Sequence, residues 1–274
     1  VYNDHVAQHF FTTCRREVVH HQFERYPSEK CKNKRMRSFL YFGELEFWVG
    51  VNVETLKLLR VLDVGRLRVP LKIYGDLIHL RYLGIDSFTL RGIAAIISKL
   101  RFLQTLEAYS EYPIEETIDL RKLTSLRHVI GQFVGELLIG DAANLQTLRF
   151  IYSDSWNKLK PELLINLRDL EIYEDFDRRV SVSWASLTKL RSLRVLKLYY
   201  LRLESEEAVR STDVISPSLE SVTLEGITFE EDTMPFLQKM PRLEDLILKG
   251  CHYSGGKMSV SEQGFGRLRK LQLV

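Results

Sequence analysis

Four histidines, His5, His9, His20 and His21, stand close together near the start of the chain. Imidazole is a common metal ligand, but a metal site also wants cysteine or carboxylate partners at fixed spacing. Neither an HExxH nor a CxxC pattern accompanies these histidines, so they read as polar leader residues and no metal ligand is assigned. The three cysteines, Cys14, Cys31 and Cys251, are odd in number and widely spaced. That argues against a disulfide framework and favours a reducing compartment. Gly255-Gly256-Lys257-Met258-Ser259 comes nearest to a phosphate-binding loop, but it lacks the GxxxxGK[ST] spacing and the strand-to-helix setting. Acidic neighbours such as Glu115-Glu116, Glu206-Glu207 and Glu230-Glu231-Asp232 do not face each other across a pocket, as acid–base chemistry requires. They read as solvated loop charge. With no nucleophile–histidine pattern either, the chain reads as not an enzyme, with no catalytic, cofactor or metal residue of its own. The basic run Lys30–Arg37 reads as a solvated approach to the first ordered element.

The remaining chemistry is recognition, and it depends on how the chain spaces its leucines. There are 43 leucines in 274 residues, and they keep phase. The pattern L-x-x-L-x-L reads Leu59-Leu62-Val64, Leu80-Leu83-Ile85, Leu103-Leu106-Ala108, Leu126-Val129-Gly131 and Leu145-Leu148-Phe150. It continues as Leu167-Leu170-Ile172, Leu193-Leu196-Leu198, Leu219-Val222-Leu224, Leu243-Leu246-Leu248 and Leu268-Leu271-Leu273. An eleventh unit precedes them at Met36-Phe39-Tyr41, and successive starts are 19 to 26 residues apart. A further apolar residue lies three places before most first leucines, at Leu56, Leu77, Leu100, Leu123, Leu164, Leu190, Met240 and Phe265. Ala142 and Ser216 are the small exceptions. This period is that of leucine-rich repeats.

The expected fold is therefore α/β: a leucine-rich-repeat solenoid, a curved horseshoe. A parallel sheet would line its concave face, with short helices or turns on the convex face. One unit cannot bury its apolar strand face alone, so stacking neighbours makes the core. Residues 36–274 form about eleven units, and residues 1–35 read as a junction from something upstream. Most units lack the asparagine that follows the strand in regular repeats, and only Cys251 fits that consensus. The polar stretches Glu174–Arg179 and Glu204–Asp213 read as surface insertions. The chain ends at Leu273-Val274 inside a strand, so a fragment with a further C-terminal part is expected.

Strand side chains alternate faces. The outward positions are the candidates for partner binding: Tyr82, Asp86, Glu107, Tyr109, His128, Arg149, Asp169, Glu171, Tyr173, Lys197, Tyr199, Thr223, Glu225, Asp245, Ile247 and Lys249. Tyrosine and arginine on a rigid surface are typical interface anchors. Charge adds an exclusion. Residues 1–43 carry eight Lys/Arg against four Asp/Glu, and the rest of the chain 31 against 32. A neutral body is a poor binder of nucleic-acid backbone, so no nucleic-acid partner is expected. No apolar run reaches transmembrane length. The chain has no N-x-S/T sequon and no signal-peptide pattern.

Local sequence is more specific than the repeat. The stretch LLRVLDVGRLRVPLKIYGDLIHLRYLGI (Leu58–Ile85), with its G-x-L-I-H-L-R-Y-L segment at Gly75–Leu83, resembles the first repeats of plant intracellular immune receptors. These are the nucleotide-binding leucine-rich-repeat (NLR) disease resistance proteins of the coiled-coil class. CRREVVHHQ (Cys14–Gln22) and KNKRMRSFLYF (Lys32–Phe42) are similar to the junction that precedes those repeats, and the likeness is nearest to the downy-mildew resistance type. The resemblance implies recognition of a pathogen effector or a guarded host protein, and a defence response with hypersensitive cell death. It implies an autoinhibitory intramolecular contact with a nucleotide-binding module upstream, where ADP or ATP would bind, and a cytoplasmic location. Two rivals are weaker. A substrate adaptor of a ubiquitin ligase would need an F-box-like helical segment, for which residues 1–35 are too short and too polar. An extracellular receptor would carry cysteine caps and sequons.

Overall fold

The computed structural model describes residues 14–19, 33–42, 56–65, 77–86, 93–109, 113–140, 144–174, 180–204, 216–229, 232–253 and 255–274. The chain divides into two compact units, Val1–Gln132 and Phe133–Val274.

In the first unit the elements are β1 (Arg16–Val19), β2 (Ser38–Tyr41), β3 (Val61–Asp63), β4 (Tyr82–Asp86), α1 (Ile93–Ile97), β5 (Thr105–Tyr109), β6 (Ile118–Asp119) and β7 (His128–Gly131). Strands β1-β2-β3-β4-β5-β7 lie side by side, all parallel. The register stacks like on like: Phe39 on Leu62, Leu62 on Leu83, Leu83 on Leu106, Leu106 on Val129. All five are buried. Covering one such side chain is worth roughly 1.5–3 kcal/mol, and each is covered only by the turns before and after it. That is why the pattern has to repeat.

The apolar residue three places before each first leucine has a definite task. Its carbonyl accepts the leucine N–H and closes a tight turn, as in Leu59 to Leu56 (2.9 Å), Leu80 to Leu77 (2.9 Å) and Leu103 to Leu100 (2.9 Å). The turn delivers both side chains into the core together, and Leu56, Leu77 and Leu100 are buried. Ser216 fills this position with a hydroxyl and is also buried. It donates to the Arg191 carbonyl at 2.8 Å, so its polar atom is satisfied by the preceding turn.

The second unit contains β8 (Leu137–Leu138), β9 (Thr147–Tyr152), α2 (Ser153–Lys158), β10 (Asp169–Tyr173), β11 (Ser181–Ser183), α3 (Trp184–Leu187), β12 (Val195–Tyr199), β13 (Arg202–Glu204), β14 (Ser221–Glu225), β15 (Thr228–Phe229), α4 (Met234–Leu237), β16 (Asp245–Lys249), β17 (His252–Tyr253) and β18 (Lys270–Leu273). Strands β9-β10-β12-β14-β16-β18 form one parallel sheet. The short strands β11-β13-β15-β17 form a second parallel sheet in the return segments. Between the sheets lie Leu170, Leu196, Val222, Leu198 and Leu224 from the first and Val182, Leu203 and Phe229 from the second, all buried. Trp184 packs against Phe236 with tilted rings, 5.3 Å between centroids. Ser183 caps α3 by accepting the Ala185 N–H at 3.1 Å.

Every one of the eleven units supplies a strand, and four expectations need correction. First, among the described residues a strand already stands at Arg16–Val19, upstream of the boundary expected at residue 36, and β1 pairs with β2 along its whole length. Second, Phe150 does not point inward. A bulge in β9 sets Ile151, not Phe150, opposite Ile172. The extra residue resets the pleat, leaving Phe150 43% exposed at φ 60° and Ile151 buried. Third, Glu174 does not open a surface insertion. It is fully buried, and the Ser153 hydroxyl donates to its carboxylate. Residues 175–179 and 205–213 lie outside the described residues. Fourth, the return segments of the second unit carry a sheet as well as helices and turns. Strands of two or three residues are too short to show an alternation pattern.

Candidate partner-binding face

Each strand residue between two core positions stands on the open face of its sheet. Parallel register gathers these residues into rows. In the second unit the first row is Asp169, Val195, Ser221 and Asp245. The next is Glu171, Lys197, Thr223 and Ile247, and the third Tyr173, Tyr199, Glu225 and Lys249.

Charge pairs cross these rows. Arg149 donates to the Asp169 carboxylate, and this bond holds the guanidinium pKa above its ordinary value. Lys197 lies 3.9 Å from Glu171. Glu171 is only 4% exposed, so it is covered rather than offered to a partner. Burial pushes its carboxyl above the usual carboxylate range. Lys197 and Arg149 oppose that shift, and Asp169 adds to it. At the far end of the strands Lys249 donates to Glu225 at 2.6 Å. This pair is exposed, so it orients side chains more than it stabilises the fold.

The tyrosines form a cluster on the same face. The Tyr173 ring lies 5.6 Å from Tyr152, 6.4 Å from Tyr199 and 5.8 Å from Tyr200, edge-on to the first and last. Burial, then the carboxylates of Glu171 and Glu225, push the Tyr199 hydroxyl pKa above its ordinary value. Tyr200 is held by backbone geometry. The residues following β12, β14 and β16 are Tyr200, Gly226 and Gly250, all at positive φ (59°, 64° and 55°). Because Gly226 has no Cβ, the Tyr200 ring lies over it, and a Cβ there would come 2.4 Å from Tyr200 Cδ1. The Tyr200 hydroxyl reaches Glu225 at 3.4 Å.

The first unit presents a smaller polar group. Tyr82 donates to Glu107 at 2.9 Å across one strand. Asp63 and Tyr82 close over Gly84, where a Cβ would meet Asp63 Oδ1 at 2.6 Å. His128 is half-buried on β7. Asp86 and Tyr109 end their strands, but their side chains lie outside the described residues.

The structure thus gathers Arg149, Asp169, Glu171, Tyr173, Lys197, Tyr199, Glu225 and Lys249 on one face, with Thr223, Asp245 and Ile247 half-buried beside them. Sequence reasoning missed Tyr152 and Tyr200. Tyr152 is displaced by the β9 bulge. Tyr200 could have been found by aligning strand ends, since it occupies the place of Gly226 and Gly250. Cys251, which matched the repeat consensus, donates its thiol to the Leu224 carbonyl at 3.2 Å, and burial raises its pKa.

Gly255–Ser259 is exposed, and Ser259 is tied by its N–H and hydroxyl to Asp232 at 2.6 and 2.8 Å. Glu115 and Glu116 are exposed. His5, His9, His20, His21 and Lys30–Lys32 lie outside the described residues. Among the described residues no group of three or more His, Cys, Asp or Glu could hold a metal ion, and no helix is long and apolar enough to cross a membrane.

A stack of parallel strands at this repeat length defines a leucine-rich-repeat protein. The chain belongs to the leucine-rich repeat region family, which it matches over residues 35–229. It is 76% identical, over its whole length, to disease resistance protein RPP13 of Arabidopsis thaliana, and 53% identical to a putative RPP13-like protein 3 of the same plant. It spans 34% of the length of each of these curated relatives. Among solved structures, the functional domain of InlJ from Listeria monocytogenes matches 93% of this chain and 52% of its own with a TM-score of 0.62. At 14% identity that likeness shows the fold alone. A repeat solenoid of this kind fits a non-enzyme, and the names of its relatives support a part in plant disease resistance.

Proposed function

We propose that this chain is the recognition region of an intracellular plant immune receptor. It binds a pathogen effector, or a host protein that the effector modifies, on the open face of the sheet over residues 147–249. In the longer protein it also restrains a nucleotide-binding module that takes ADP or ATP, and release of that restraint starts the defence response and local cell death. The observation that carries the reading is the tyrosine cluster Tyr173-Tyr199-Tyr200, set on a rigid parallel sheet between the ion pairs Lys197–Glu171 and Lys249–Glu225. Such a site offers large, stiff aromatic area with polar groups at its rim, the usual composition of interface hot spots. The restraint and the nucleotide rest on the family resemblance.

The test is made in the full-length receptor. Tyr173→Ala with Tyr199→Ala is expected to abolish co-precipitation with the matching effector and the cell-death response, while the protein accumulates normally. Replacement of the whole face by alanine with recognition intact would show that the partner binds elsewhere.

A further inference from the structure

In the first unit the residue that enters each strand of the sheet is arginine at five turns out of six: Arg15, Arg37, Arg60, Arg81 and Arg127, with Gln104 the exception. These residues are stacked by their own backbones. The N–H of Arg37 donates to the Arg15 carbonyl at 2.7 Å, Arg60 to Arg37 at 2.7 Å and Arg81 to Arg60 at 2.8 Å. Gln104 donates to Arg81 and Arg127 to Gln104, each at 2.8 Å. Neighbouring strands lie about 4.8 Å apart, so the column runs roughly 24 Å. Arg15, Arg60, Arg81 and Arg127 are exposed and Arg37 is half-buried. Among the described residues none of the five makes an ion pair. Exposed Lys34, Arg35, Lys57 and Arg101 flank the column in the turns that lead into the same strands.

The second unit shows what the chain does when this column is neutralised from within. There it reads Gln146, Arg168, Arg194, Glu220, Glu244 and Arg269, joined by the same backbone bonds. Arg194 forks onto Glu220 at 2.7 and 2.8 Å, and Arg269 meets Glu244 at 3.3 Å. An acid in a neighbouring turn offsets the charge of Arg194 and of Arg269. The first unit stacks like charges, which repel at this spacing, and supplies no acid in the column.

We propose that the arginine column of the first unit is a docking strip for an acidic, extended polypeptide segment. A strand about seven residues long covers the same distance, and carboxylates match guanidinium forks in geometry and charge. Single-stranded nucleic acid fits less well. It needs aromatic platforms beside the basic groove, but the adjoining row is Arg16, Ser38, Val61, Tyr82, Thr105 and His128. Its one tyrosine is tied to Glu107 rather than open to a base. The strip is independent of the tyrosine face, and neither needs the other.

Fluorescence anisotropy with the full chain and a labelled polyglutamate long enough to span the column tests it. Binding is expected in low salt, with weakening by added salt. It should fall about tenfold or more in Arg60→Glu/Arg81→Glu and stay unchanged in Arg168→Glu of the second unit. Circular dichroism checks folding, and Arg60→Gln/Arg81→Gln serves if the reversal variant fails to fold. The proposal is overturned if polyglutamate does not bind, if the arginine variants bind it as well as the parent, or if oligouridylate of matched charge binds equally or more tightly.

Discussion

Gly226 and Gly250 occupy the same place in successive turns and share a left-handed backbone, yet they should not tolerate alanine equally. Any L-residue with a Cβ at such a φ costs about 1–2 kcal/mol. At Gly250 a Cβ meets nothing within 4 Å, so Gly250→Ala should cost that amount and no more. At Gly226 it would sit 2.4 Å and 2.8 Å from two carbons of the Tyr200 ring, so the ring must leave. Expulsion forfeits the edge contact with Tyr173 at 5.8 Å, worth roughly 0.5–1.5 kcal/mol. It also forfeits the long bond to Glu225, worth about 0.5 kcal/mol. Gly226→Ala should therefore destabilise by about 2–4 kcal/mol in all. Urea unfolding of the two variants beside the parent measures the difference. Adding Gly226→Ala to Tyr200→Ala should then cost only the backbone share. Equal costs for Gly226→Ala and Gly250→Ala, or no relief in the Tyr200→Ala background, would refute the account of how Tyr200 is held.

Two further outcomes follow from the core and the buried acid. Burial raises the Glu171 carboxyl above its ordinary 4.5, so the folded chain keeps a proton that the unfolded chain has released. Its contribution to stability must fall as pH rises through that window, and Glu171→Gln should flatten the dependence of the urea midpoint on pH above about 4.5. Parallel profiles for the two proteins would contradict it. Leu196→Ala, at a fully buried site, should cost roughly 2–5 kcal/mol, while Ile165→Ala, at 55% exposure in a turn, should stay within about 0.5 kcal/mol. Similar losses at both would mean that the inward assignment is wrong.

The architecture was legible because its cause is periodic. Leu59, Leu62 and Val64 must be covered by Leu80, Leu83 and Ile85, and that need prints the same pattern into each turn. The tight turn from Leu56 to Leu59 was legible for the same reason. Irregularities have single causes and leave weaker marks. In Thr147–Tyr152 both Phe150 and Ile151 are apolar, so nothing in the sequence says that a bulge turns the first outward. Glu174 looks like the start of a charged loop because its partner, Ser153, is a full turn away. The face residues Tyr173, Tyr199 and Glu225 follow from alternation alone. Their grouping with Tyr200 does not, since it depends on a left-handed turn that Gly226 makes possible from the neighbouring unit. The second sheet escaped because Thr228–Phe229 and His252–Tyr253 are too short to carry a period.

The Tyr200–Gly226 pair has a consequence for how such a chain varies by descent. Residues that accommodate one another sit about one turn apart: Tyr200 over Gly226, Asp63 over Gly84, Tyr82 on Glu107, Ser153 on Glu174. A substitution at one of them is therefore compensated some 21 to 26 positions away, not three or four. Gain or loss of one whole turn keeps every strand in phase and separates such pairs only at the junction it creates. A shift of a single residue within a strand exchanges the buried and open rows at once. The chain is thus tolerant of heredity's large, unit-sized rearrangements and intolerant of its smallest ones.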